Sequence, residues 1–160
     1  MCGMQNLVSK RDYSVEELNK ILSDRLFKEV VCVGLNGGEP FLRPDLVECV
    51  DVILQKLPRL RAINIISNGY FTNSIIEKLS NIKTLCDEKG VSVNLSLSID
   101  GVGKMQDYMR GHKDAWTNVI ETISRIKLDE SSYCDSLAVI CTVTKHNVYK
   151  LEEVEAWSKK

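Results

Sequence analysis

The chain has 160 residues, 44% hydrophobic and 27% charged, a composition that suits one soluble globular domain over residues 1–160. Its formal charge of −1, with no Lys/Arg cluster interleaved with aromatics, gives no electrostatic basis for nucleic acid or an anionic membrane as partner. No apolar stretch approaches the roughly 20 residues that cross a bilayer, and Met1-Cys2-Gly3-Met4-Gln5-Asn6 lacks the apolar segment of a signal peptide, so a cytoplasmic location is expected.

In chain order, Ser14-Val15-Glu16-Glu17 reads as a capping box, and Val15, Leu18, Ile21 and Leu22 follow at helical spacing, which predicts a helix over 14–27. A strand over 30–36 comes next. Pro44 suits the first turn of a second helix with a buried stripe of Leu46, Val50, Ile53, Leu54 and Leu57, ended by Pro58. The apolar run 62–67 is closed by Asn68-Gly69, and a helix bearing Ile75, Ile76, Leu79, Ile82 and Cys86 stops at Gly90. Residues 91–99 alternate strictly. Asp114 is placed to cap a helix carrying Trp116, Val119, Ile120 and Ile123, a strand over 137–143 follows, and Asn147 is expected to cap the last helix. The segment Asp129-Glu130-Ser131-Ser132 reads as a solvated connection.

Strands alternating with helices imply a parallel sheet with right-handed crossovers, open or closed into a barrel. Val91, Val93, Leu95, Leu97 and Ile99 share one face of their strand, while Ser92, Asn94, Ser96 and Ser98 share the other. An open sheet covered by helices on both sides needs two apolar faces, so the polar one favours strands curved around a lumen. Asn64, Asn68, Thr142 and Thr144 extend that polar surface onto neighbouring strands. Only four strands are legible, and the chain opens on a cysteine-bearing loop and ends within a helical pattern, so truncation at both ends is expected.

Gly37-Gly38-Glu39-Pro40 stands at the C-terminal end of the first strand, where parallel α/β proteins bind ligands. Two glycines before an acid and a proline form an open backbone cradle beside a carboxylate. Six cysteines, at positions 2, 32, 49, 86, 134 and 141, make no Cys-x-x-Cys pair, so reduced thiols, mostly in the core, are expected. His112 and His146 lack metal-ligand spacing.

Met1-Cys2-Gly3-Met4, Asn36-Gly37-Gly38-Glu39-Pro40, Ser67-Asn68-Gly69, Ser98-Ile99-Asp100-Gly101 and Arg110-Gly111 together resemble radical S-adenosylmethionine (radical SAM) enzymes in order and position, over nearly the whole chain. The resemblance implies a partial (β/α)6 TIM-like barrel of parallel strands. It implies a [4Fe-4S] cluster on a Cys-x-x-x-Cys-x-x-Cys loop, with S-adenosyl-L-methionine chelating the fourth iron, and Cys2 corresponds to the third of those cysteines. By the same resemblance Gly37, Gly38, Glu39 and Pro40 receive the methionyl ammonium group. Arg110, in the loop after Ser98-Ile99-Asp100-Gly101, grips the methionyl carboxylate, and Ser98 touches ribose or carboxylate with Ser96 on the same inward face. Asn68 has two readings, a cofactor contact or simply the turn geometry of Asn-Gly, and Asp100 shares that ambiguity.

The implied reaction is one-electron reduction of the sulfonium, cleavage to methionine and a 5′-deoxyadenosyl radical, and hydrogen abstraction from a small-molecule or peptide substrate. An electron donor such as flavodoxin or ferredoxin is the implied partner. The family's first two cluster cysteines, the strand before them and a sixth strand have no counterpart in the sequence. This departure carries a second reading, a non-catalytic fragment or cofactor-binding remnant unable to hold the cluster by itself. Reconstitution of this chain alone is therefore expected to fail. A conventional barrel enzyme ranks last, because no His/Glu pair or phosphate-binding glycine loop supplies another catalytic constellation.

Overall fold

A computed structural model describes residues 12–159. Ser14 opens helix α1 (Val15–Leu22) with the expected capping box: its hydroxyl accepts the Glu17 N–H at 3.2 Å, and the Glu17 carboxylate accepts the Ser14 N–H at 2.8 Å. The helix expected over 14–27 stops at Leu22. Asp24 is extended and accepts the Leu26 N–H at 2.8 Å, capping a separate 3-10 turn, Arg25–Phe27.

Four strands follow, β1 (Cys32–Leu35), β2 (Ala62–Ser67), β3 (Ser92–Ser98) and β4 (Ser136–Ile140). They form one sheet in the order β1-β2-β3-β4 with every neighbouring pair parallel, as the alternation of strands and helices requires. The crossovers are α2 (Leu46–Lys56), α3 (Thr72–Lys89), and the pair α4 (Lys104–Arg110) and α5 (Ala115–Lys127); α6 (Leu151–Ser158) follows β4. β4 stops short of residue 143. Ile140 accepts the Ile99 N–H at 2.9 Å, and beyond it the Thr142 N–H goes to the Asp100 carboxylate at 2.8 Å, which draws the chain out of the ladder.

The core lies on one side of this sheet. Ile63 and Ile65 of β2 and Val93, Leu95 and Leu97 of β3 are fully buried, packed with Val50, Ile75, Leu79, Ile82, Val119 and Ile126 from α2, α3 and α5. The expected α2 stripe of Leu46, Val50, Ile53, Leu54 and Leu57 is buried throughout. Residues on the opposite face are open: Cys32, Asn64, Ser92 and Ser136 are exposed, and Asn94 and Ser96 half-buried. That polar face is bonded sideways across all four strands. Ser136 Oγ donates to Asn94 Oδ1 (2.8 Å), Asn94 Nδ2 to Asn64 Oδ1 (2.9 Å), and Asn64 Nδ2 to Cys32 Sγ (3.1 Å).

Three local expectations need correction. Helix α4 stands where a loop was expected, so Arg110 is its last residue. Asp114 precedes α5 but makes no side-chain cap; it adopts a left-handed conformation (φ 64°), and the Trp116 N–H is instead taken by Asp107 at 2.9 Å. Asn147 is buried away from any helix-capping role and bonds loop backbone instead. Pro44 lies just ahead of α2, and Gly90 closes α3 in the left-handed conformation (φ 64°) that only glycine adopts cheaply. Among the described residues no helix is long and apolar enough to cross a membrane.

Candidate functional site

The chain leaves β1 through Gly37, whose φ of 130° is closed to ordinary side chains. A Cβ added at Gly37 or Gly38 would meet no atom within 4 Å, so the backbone here borders open space. Glu39 then turns back into the protein. Its Oε1 accepts the Ser67 hydroxyl at 2.8 Å and the Phe41 N–H at 3.3 Å, and its Oε2 accepts the Asn68 N–H at 2.8 Å. One carboxylate thus ties the loop after β1 to the end of β2, with Pro40 and Phe41 buried beneath it. Burial pushes the Glu39 carboxyl above its ordinary value, opposed by the three donors and by the positive charge of Arg110.

Asn68 Oδ1 accepts the Tyr70 N–H at 2.8 Å and shapes the turn. Gly69 follows at φ 72°, where an added Cβ would lie 2.5 Å from Val119 Cγ2. Its carbonyl accepts the Thr122 hydroxyl at 2.8 Å, so α5 is packed hard against the β2 turn.

At the end of β3, Asp100 is 6% exposed and holds Arg110 through Oδ2 at 2.9 Å and the Thr142 N–H through Oδ1 at 2.8 Å. Asn147 reinforces the junction, donating to the Asp100 and Thr142 carbonyls at 2.9 Å each and accepting the Thr144 N–H at 2.7 Å. Arg110 Nε is buried with no hydrogen-bond partner among the described residues. The Arg110 side chain as a whole keeps 22% of its surface exposed, so its guanidinium is a suitable receiver for a second carboxylate.

Gly37, Gly38, Glu39, Pro40, Asn68, Ser98 and Arg110 therefore all lie at the C-terminal ends of the strands, where Glu39 is bonded to Asn68 and Arg110 to Asp100. Ser96 sits one pair deeper on the open face, and Ser98 is 8% exposed at the strand terminus. Cys2 lies outside the described residues. Sequence reasoning missed Ser67, Gln106 and the structural use of Asn147. Ser67 carried a signal, being a polar residue in line with Ile63 and Ile65 on the core side of β2 just before Asn-Gly, but the partner of a hydroxyl is not written in local pattern.

His112 packs against Tyr70 with the rings tilted by 53° and centroids 4.8 Å apart, and His146 meets Tyr108 at 6.0 Å. Among the described residues no group of three or more His, Cys, Asp or Glu could hold a metal ion. Of the five described cysteines, all free, Cys49, Cys86 and Cys134 are buried, and burial pushes Cys86 and Cys134 up to about 11, which suits inert core thiols. A groove of about 670 Å³ runs between α5, α6 and β4, lined by Ile120, Ile123, Val139, Leu151, Val154 and Trp157 among others. It shares no residue with the Glu39–Arg110 rim, and we place the site at the rim because the convergent charges are there. The chain matches no model of a known protein family and no curated protein.

Proposed function

We propose that this chain is the core of a radical SAM enzyme, a partial (β/α)6 barrel that binds S-adenosyl-L-methionine at the C-terminal ends of its strands. The observation that carries the reading is the presence at the same strand ends of an open Gly37-Gly38 backbone, braced by Glu39, and a partly exposed Arg110 cation anchored on Asp100. That combination suits the zwitterionic end of an amino acid: carbonyls and an acid receive the ammonium, and the guanidinium receives the carboxylate. Glu39 acts here first as a brace, since its Oε1 already accepts two donors and only Oε2 keeps a free lone pair. Ser98 borders the same rim, where a hydroxyl can meet ribose. A sheet with helices on one face and a polar open face supports the barrel reading, because such a face suits a cofactor-lined interior.

A [4Fe-4S] cluster bound with the cofactor would supply the electron that cleaves the sulfonium to methionine and a hydrogen-abstracting 5′-deoxyadenosyl group. The thiolates for that cluster are not found among the described residues, where no fitting ligand group exists, and Cys2 alone would leave the site incomplete. What this chain's own residues contribute is grip and orientation of the cofactor's amino-acid end.

Titration of S-adenosylmethionine into the protein, followed by calorimetry and amide chemical shifts, tests this. Saturable binding that shifts Gly37, Gly38 and Arg110 is expected. Arg110→Met should weaken it about tenfold or more, the loss of one charge-assisted hydrogen bond. Gly38→Ala, whose Cβ meets nothing in the protein, should weaken binding while leaving stability nearly unchanged. Equal affinity in wild type and both variants would end the assignment.

A further inference from the structure

We propose that Gln106 is the positioning residue that sets the Arg110 cation over the strand ends, against Asp100. Gln106 is fully buried, a rare state for an amide, and both ends of its side chain are used on the end of β3. Nε2 donates to the Ser98 carbonyl at 2.9 Å, and Oε1 accepts the Asp100 N–H at 2.8 Å.

The two backbone groups it takes would otherwise be stranded. The Ile99 N–H donates to Ile140 of β4, so the flanking Ser98 C=O and Asp100 N–H turn to the opposite side, toward β2. The paired register of β2 ends at Ser67 opposite Leu97, and the next residue of that chain to face β3, Gly69, has its N–H held by the Ser67 hydroxyl at 3.0 Å and its carbonyl by the Thr122 hydroxyl at 2.8 Å. The amide of Gln106 stands in for the missing peptide group and completes the ladder.

That substitution fixes α4, which at seven residues has little stability of its own. Arg110 lies four residues after Gln106 and therefore on the same helix face. While Gln106 holds the Asp100 backbone, Arg110 holds the Asp100 carboxylate at 2.9 Å, so the helix is clamped twice to one residue. Met105 makes the third contact, packed so closely that a Cβ on Gly101 would lie 2.3 Å from its Cγ. A polar core residue one turn before the cation thus decides where the charge stands at the end of β3.

The test is the titration of Glu39, read by ¹³C NMR of labelled glutamate side chains in the full chain without ligand. Arg110 is the charged group acting on Glu39, alongside the Ser67 hydroxyl and the Asn68 and Phe41 N–H groups. Gln106→Met, close in volume but without the amide, is expected to raise the Glu39 midpoint as Arg110→Met does, and the double variant should raise it no further than Arg110→Met alone. Asp107→Ala, which removes a helix cap nearby, should lower stability and leave the midpoint in place. If Gln106→Met does not fold, Gln106→Asn, too short by one methylene to reach both groups, is read in the same way. A Glu39 midpoint unmoved from wild type in the folded Gln106 variant overturns the proposal, leaving Gln106 as packing only. The functional meaning of the clamp rests on the cofactor reading, but a wild-type chain that binds no S-adenosylmethionine overturns that reading alone, because the titration judges Gln106 without ligand.

Discussion

Glu39 concentrates three donors and one neighbouring cation on a carboxylate that burial makes reluctant to ionise. Because its midpoint lies above that of an unfolded chain, the folded protein holds more protons between the ordinary glutamate value and the raised one. Stability therefore falls as pH climbs through that interval and the loss is complete above it. Thermal melts across this range should show the decline in wild type and its absence in Glu39→Ala. The same variant leaves the Ser67 hydroxyl and the Asn68 and Phe41 N–H groups without their acceptor, and a cost of about 2 kcal/mol is expected at neutral pH by denaturant unfolding. A flat pH profile in wild type would show that the carboxylate is better solvated than its burial implies. The importance of residue 39 was legible because two glycines, an acid and a proline at a strand end is a spacing with a mechanism. Its partners were not, since Ser67 and Asn68 lie 28 and 29 residues away and meet it only when two strands pair.

At the scale of elements, helices with a long apolar period were readable and the short one was not. In α3, Ile75, Leu79, Ile82 and Cys86 recur at helical spacing and all are buried, and Gly90 marks the end. Helix α4 has seven residues, glycine on both flanks, and a glutamine as its buried residue, so no apolar stripe announces it. The same segment misdirects the reading of the next helix's cap. Asp114 occupies the cap position, but its left-handed backbone makes no side-chain cap, and Asp107 reaches from α4 to the Trp116 N–H. The two aspartates should accordingly respond in opposite senses. Asp107→Ala is expected to cost about 1 kcal/mol, the worth of a cap, while Asp114→Gly should be neutral or stabilising by up to about 1 kcal/mol, through relief of a left-handed non-glycine residue. Chemical denaturation of the two variants checks this, and a larger loss at Asp114 would return the capping role to it.

The molecule as a whole is a sheet with two unlike sides, and this was the feature most fully written in the sequence. Strict alternation through residues 91–99 sends Val93, Leu95 and Leu97 under the helices and Ser92, Asn94 and Ser96 to the open side, because side chains of a strand point alternately to either face. Whether the strands go on to close around a lumen depends on curvature and on pairing at the sheet edges, which alternation does not encode. Neighbouring residues in β3 therefore offer a direct test of the asymmetry. Leu95 is fully buried and packed in the core, so Leu95→Ala should cost roughly 2–5 kcal/mol, the transfer term plus the cavity left behind. Asn94 is half-buried and bonded to Asn64 and Ser136, both exposed residues whose groups water can satisfy once Asn94 is removed. Asn94→Ala should cost less than about 1 kcal/mol. Urea unfolding of the two variants measures the difference. A loss at Asn94 as large as at Leu95 would mean that the polar row across the four strands is a cooperative core of its own, and that the open face is closed to solvent in solution.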